Sequence, residues 1–440
     1  MTHLHLTREL LDAILDGRRN PGDLVPVVMA HLFDLCPACN EAFQEWQDSL
    51  VDTPPQNLDE ALARVRERSQ QLISGVEHEV QASRKRVFDL LALPQQDRLE
   101  TISSAGSEYR GLALASLLID QCRESLPAYP KRSLACAELA KAVLEHSDFG
   151  LLAVELYARA VAYTANAWRI QAKLGEAATA MQDARFLLKS NGGGDRLVKA
   201  ELDNLEGLLR VYQRQMPEAI RLLRRAVFGY RGAGLEHEAL RSSLNLALAY
   251  RHAGEIEEAV KLLKGIEQSL EGADSPLLSF ARHNLAYALC EAGEYHDARA
   301  RLELLRADEF LKDPVSLLRG LWVEGRISTG LEEYDKAEQQ LREAAYGFAA
   351  EELPYEHALV NLDLALVYLQ QQKIGQVHQL AQELVASFRD WGIQREAVAA
   401  AMLFEESVRL GQITLALIEQ LTRYFEQAER NPSVPFDFGS

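Results

Sequence analysis

Cysteine is scarce in this chain, five in 440 residues, too few for a disulfide framework. Cys122, Cys136 and Cys290 fall inside helical patterns and are expected to be buried thiols. No run of about 18 apolar residues occurs, so no membrane span is expected. The N-terminal "MTHLHLTRELLDAILDGRRNPGD" has neither the basic start nor the apolar stretch of a secretory signal. A reducing cytoplasm fits these absences. Positive charge is also short, with 47 Lys and Arg against 65 Asp and Glu, a formal net charge of −18. Duplex binding needs cations to neutralise phosphates, so nucleic acid is not an expected partner, nor is an anionic membrane. Ordinary solubility explains the same charge. The signatures of phosphate, dinucleotide, zinc-protease and esterase sites are all missing. "NGGG" at 191–194 has no following Lys, and the acid pairs Glu257-Glu258 and Glu405-Glu406 read as solvated helix faces. The chain is therefore read as a non-enzyme.

What is present is a period. Ala177, Ala219, Ala259, Ala298, Ala337, Val377 and Ala416 follow one another at intervals of 42, 40, 39, 39, 40 and 39 residues. Twelve residues before each stands Ala165, Gly207, Ala247, Ala286, Gly325, Ala365 and, as the exception, Phe404. Five residues before the anchor there is often a Gly, as at Gly254 and Gly293. A fixed period in this range means stacked supersecondary units. Small residues at two fixed offsets let helix backbones approach, so each unit reads as helix, turn, helix. The 42-residue interval is explained by "NGGGD" at 191–195 as a loop insertion. Nothing reads as a sheet.

The small–aromatic–Gly–Ala arrangement Ala247, Tyr250, Gly254, Ala259 is similar to a tetratricopeptide repeat, and the likeness recurs over about 280 residues. The Ala416 unit departs most, with Phe404 at the small position and Arg423 at the later packing position, and reads as a capping repeat. The resemblance implies a right-handed superhelix whose inner face, built from the first helix of each unit, binds peptides or partner proteins. Upstream, Pro54-Pro55 breaks the chain. The organisation expected is a helical domain over 1–52, linker and long helix over 53–96, a divergent helical repeat over 97–149, the array over 150–430 and a flexible tail over 431–440. The helix pattern 58–93, with mixed charges throughout, reads as exposed or bridging.

Residues 1–52 hold one metal-like constellation. Cys36 and Cys39, in Cys-x2-Cys at a turn opening a helix, form a common zinc half-site, with His31 one turn back and His3 or His5 to complete four ligands. Other readings stand beside it: a capping imidazole with two small apolar thiols, or a redox pair. The stretch "ELLDAILDGRRNPGDLVPVVMAHLFDLCPACNEAFQEW" resembles the zinc-binding anti-sigma domain of bacterial regulators, although its His-x4-Cys-x2-Cys is one residue longer than that family's His-x3-Cys-x2-Cys. The resemblance implies a structural Zn2+ and a sigma factor as partner. Aligning the units places Arg159, Arg169, Arg241, Arg251, Arg319 and Arg326 on the inner wall of the array. A guanidinium fork suits an acidic peptide or a terminal carboxylate; pairing with neighbouring Glu is the competing explanation. The sequence is thus read as an all-α solenoid acting as an interaction scaffold or regulator. The alternative is a sensor whose ligand releases the N-terminal module.

Overall fold

The computed structural model of the chain describes residues 58–104, 111–125, 130–145, 150–190, 194–272, 275–305, 313–390, 395–409 and 411–431, with single positions at 12, 41, 44–46, 48, 109 and 434. His3, His5, His31, Cys36 and Cys39 lie outside the described residues, as does nearly all of the expected 1–52 domain and of the tail. Among the described residues there are eighteen helices and no strand. They are α1 (Leu58–Ala92), α2 (Gln95–Ser104), α3 (Leu112–Ser125), α4 (Pro130–Glu145), α5 (Gly150–Ile170), α6 (Leu174–Ser190), α7 (Arg196–Tyr212), α8 (Met216–Gly232) and α9 (Glu236–Ala253). There follow α10 (Ile256–Ser269), α11 (Pro276–Glu291), α12 (Tyr295–Glu303), α13 (Pro314–Gly330), α14 (Tyr334–Ala350), α15 (Pro354–Gln370), α16 (Ile374–Asp390), α17 (Arg395–Arg409) and α18 (Leu415–Arg430). None of the described helices is long and apolar enough to cross a membrane.

The turn inside each unit has one backbone solution. Five residues before every anchor the chain is left-handed: Ala172 (φ 58), Arg214 (φ 61), Gly254 (φ 80), Gly293 (φ 78), Glu332 (φ 61), Gln372 (φ 58) and Gly411 (φ 66). The next residue donates its N–H back five positions, as Glu255 does to Tyr250 O at 2.9 Å and Lys373 to Tyr368 O at 2.8 Å. This bond pattern and a left-handed residue just past the helix end a helix sharply and satisfy its last carbonyls. Glycine tolerates that conformation freely and other residues do not, yet only three of the seven positions are Gly.

Small residues then allow the helices to close. Ala177, Ala219, Ala259, Ala298, Ala337 and Val377 are all 0 % exposed. At Gly325 an added Cβ would lie 2.6 Å from Cδ2 of Leu341, so α13 and α14 touch where the repeat pattern places the small residue. Ala416 departs from this series. It is exposed, and Phe404 is fully buried in the place of a small residue. The seventh anchor expected from the spacing is therefore not an anchor, and α18 packs on α15 as well as on α17.

The chain forms two compact units, residues 1–209 with 221–239, and residues 210–220 with 240–440. The first has a core drawn from α1 to α7, including Leu90, Leu118, Val143, Leu156 and Met181. Trp46 is buried in this core, and its Nε1 donates to Asp12 Oδ1 at 3.0 Å. Contrary to the expectation of an exposed or bridging helix, α1 buries one stripe, Val76, Ser83, Val87 and Leu90, among its charges. Spacings of three, four and seven put those residues on one side. Cys122 and Cys136 are buried here, and Cys290 in the second unit.

In the second unit, α11 packs on α12, α13 on α14, α15 on α16, and consecutive first helices α11, α13 and α15 also touch. One core spans Leu240 to Ile327 and another Trp322 to Ala428. α18 packs on α15 as well as on α17. It therefore lies against the row of first helices rather than simply extending the row of second ones.

Candidate functional site

The expected arginines divide between the two units, Arg159 and Arg169 in the first, Arg241, Arg251, Arg319 and Arg326 in the second. Most of those with visible partners meet a carboxylate one period further on. In the first unit Arg159 Nη2 donates to Glu201 Oε1 at 3.2 Å, and Tyr163 Oη donates to the same oxygen at 2.7 Å. Burial would raise the Glu201 carboxyl, but the Arg159 guanidinium and these hydrogen bonds hold it below its usual range. Arg169 is buried, its Nε donating to Asn166 Oδ1 at 2.8 Å.

The second unit holds the larger assembly. Arg251 donates to Glu291 through Nε (2.7 Å) and Nη2 (3.1 Å), a bidentate pair. Arg319 Nη2 donates to Glu356 Oε1 at 3.2 Å. Arg326 Nε lies 3.4 Å from Asp363 Oδ2, which also accepts from Trp322 Nε1 at 2.6 Å. Between them stands Tyr287, its ring faced by Arg251 at 4.0 Å and Arg326 at 4.8 Å from the centroid. Cation–π contact of this kind attracts a guanidinium to the ring face while its N–H groups bond carboxylates. The Arg251 and Arg326 side chains keep 12 % and 25 % of their exposure, so solvent reaches both although protein surrounds them. Arg241 is half-buried on α9. Arg251 and Arg326 are thus brought together by Tyr287, with Arg319 beside Glu356 on the same row of first helices.

α18 reaches this row from the far end of the chain. Arg430 Nη1 lies 3.4 Å from His252 Nδ1, and its guanidinium lies 5.9 Å from the Tyr212 ring. Burial pushes the His252 imidazole down to about 2, helped by Arg430, Arg251 and Arg214, so it is neutral at any ordinary pH. His283 is lowered to about 4, first by burial and then by Arg319 and Arg251. Glu429 goes the other way. Burial and then the Glu356 carboxylate raise it to about 7, against Arg430 and Arg319. Among the described residues His252 Nε2 and Arg326 Nη1 are buried without a hydrogen-bond partner. No group of three or more His, Cys, Asp or Glu among the described residues is arranged to hold a metal.

Sequence reading named four of these arginines and missed Tyr287, the carboxylates and the whole contribution of α18. The carboxylates had a signal, since Glu291, Glu356 and Asp363 sit 40, 37 and 37 positions beyond their arginines, close to one period. Nothing local could place Arg430 beside His252, 178 positions earlier.

No protein-family model matches the chain, and no curated protein matches it. Among solved structures it is similar to a Rap protein complexed with competence and sporulation factor, at 14% identity and a TM-score of 0.56, over 72% of this chain and 87% of that one. It is also similar to the apo form of the quorum sensor NprR from B. thuringiensis, at 15% identity and a TM-score of 0.53, over 72% of this chain and 93% of that one. At such identities the likeness is one of fold, a tetratricopeptide-like helical repeat.

Proposed function

We propose that this chain is a non-enzymatic, cytoplasmic regulator whose second unit binds an acidic segment of a peptide or partner protein along its first helices. The observation that carries this reading is the pair Arg251 and Arg326 over the ring of Tyr287, partly open to solvent, in a chain of net charge −18. Forks held in place lose little entropy on meeting a carboxylate, which is why preorganised Arg favours such ligands. The fold neighbours lend support by kind: one was solved with a bound factor and the other is a quorum sensor. The test is capture of partners by the full chain, wild type against Arg251→Glu with Arg326→Glu, and against Arg241→Glu with Arg251→Glu. Wild type retains a reproducible protein or peptide that both variants lose while keeping helical content; equal capture by all three refutes the reading.

The finer reading of the N-terminus rests on the anti-sigma resemblance alone. In it His31, Cys36, Cys39 and either His3 or His5 hold a structural Zn2+, and the module engages a partner such as a sigma factor. Zinc measured in the same purified protein tests it, one equivalent per chain being expected and none being fatal.

A further inference from the structure

The expected seventh hairpin is not completed in the ordinary way, because its second helix lies along the wall the other units build. α18 buries Ile418, Leu421, Tyr424, Phe425 and Ala428, an apolar stripe at helical spacing, with Phe425 edge-on to Phe388 at 5.4 Å. Its polar edge faces the first helices: Arg430 meets His252 of α9, while Glu426 acts on Arg251 of α9 and Tyr287 of α11. Glu429 acts on Glu356 of α15 and is drawn by Arg319 of α13. The charges of one helix thus act on four successive first helices, α9, α11, α13 and α15.

One feature of that contact suits a segment that can leave. The charges only half match: Glu429 feels the like charge of Glu356, and Arg430, 3.4 Å from the neutral His252, feels that of Arg214. Like charges brought together at an interface weaken it.

We infer that α18 is an internal ligand of this wall, and that an outside partner binds as an acidic amphipathic helix that displaces it. The inference rests on the proposed binding role of the same wall and adds the form of the ligand and its competitor. Helix-in-groove binding reads apolar anchors at i, i+3, i+7, the pattern α18 already presents. Once displaced, α18 has 16 residues, marginal for an isolated helix in water, so its amides lose protection.

The experiment uses the full chain and a synthetic peptide copying residues 413–431, read by amide hydrogen exchange and by titration. Saturating peptide is expected to speed exchange in α18 while α9 to α15 stay protected. Glu426→Lys places a cation among Arg251, Arg214 and Arg430 and should loosen α18. The variant should then bind the peptide roughly tenfold more tightly than wild type, because less competitor must be moved aside. Glu429→Gln, at pH 8, removes the clash with Glu356 and should weaken peptide binding. A peptide with the Glu426→Lys change should bind neither chain. If peptide binds wild type and Glu426→Lys equally, or binds without speeding α18 exchange, the displacement inference fails and groove binding stands. If α18 is loosened in Glu426→Lys and the peptide still does not bind, the acidic-segment reading of the wall fails with it.

Discussion

Ala172, Arg214, Glu332 and Gln372 each hold a left-handed backbone that L side chains resist, at a cost of about 1 kcal/mol apiece. The hairpin requires the turn, and the buried anchors five residues later fix its geometry. Glu332→Gly and Gln372→Gly are expected to raise stability by about 0.5–1 kcal/mol each in thermal unfolding, the relief of strain exceeding the added unfolded-state entropy. Gly254→Val should do the reverse. At Gly325 the constraint is spatial: Gly325→Ala puts a methyl group onto the Leu341 side chain and should destabilise the α13–α14 crossing by about 1–3 kcal/mol. Glu429 gives a pH test with a definite sign. When α18 is docked this carboxyl keeps its proton up to about pH 7, whereas a free carboxyl loses it near 4.5. Docking is therefore helped fully below pH 4.5, and that help is lost as pH rises through 7. His252 works against it, because the buried imidazole refuses the proton that a free one takes up below pH 6.5. Glu429→Gln should accordingly slow α18 amide exchange at pH 8 by roughly tenfold or more, one pKa unit being a factor of ten, with the difference from wild type disappearing as pH falls below 4.5.

Among the elements, the hairpins were legible because their cause is local. A small residue at each crossing and a fixed offset to the turn repeat along the sequence, and the helices form where that pattern puts them. Ala416 shows the limit. The spacing marks it as an anchor, but an anchor is made by the neighbour it touches, and Ala416 lies exposed while Phe404 twelve residues earlier is buried. α1 was misjudged for a related reason: Val76, Ser83, Val87 and Leu90 are four residues in a helix of mixed charge, and only the packed partner reveals them as a face. The ion pairs were half legible. An arginine on a first helix finds its acid on the next first helix, one period away, so the paired explanation weighed at the outset and the groove explanation describe the same side chains. Wall and pairs are compatible because a guanidinium held by one carboxylate has donors left over.

For the whole molecule, charge sets how a ligand arrives. A chain of net charge −18 repels an acidic segment at long range, while the arginines act only within a few ångströms. Raising ionic strength from about 10 to about 150 mM shortens the screening length from about 30 to about 8 Å, which should speed the association of an acidic peptide. This is opposite to the usual behaviour of complementary partners, and stopped-flow mixing at several salt concentrations would read it. Slower association at the higher salt would place the steering field elsewhere than on the net charge.

Open helical arrays gain or lose whole repeats readily, since each touches only its neighbours. The second unit does not share that freedom. At about 1.5 Å per residue, the 16 residues of α18 span about 24 Å, and that reach must carry Arg430 as far as Tyr212 and His252. Deleting or duplicating one hairpin between Ala259 and Val377 would leave the helix too long or too short for its far contacts. The terminal helix is thus a measuring rod that fixes the repeat number, and lineages carrying it should vary in sequence far more than in length.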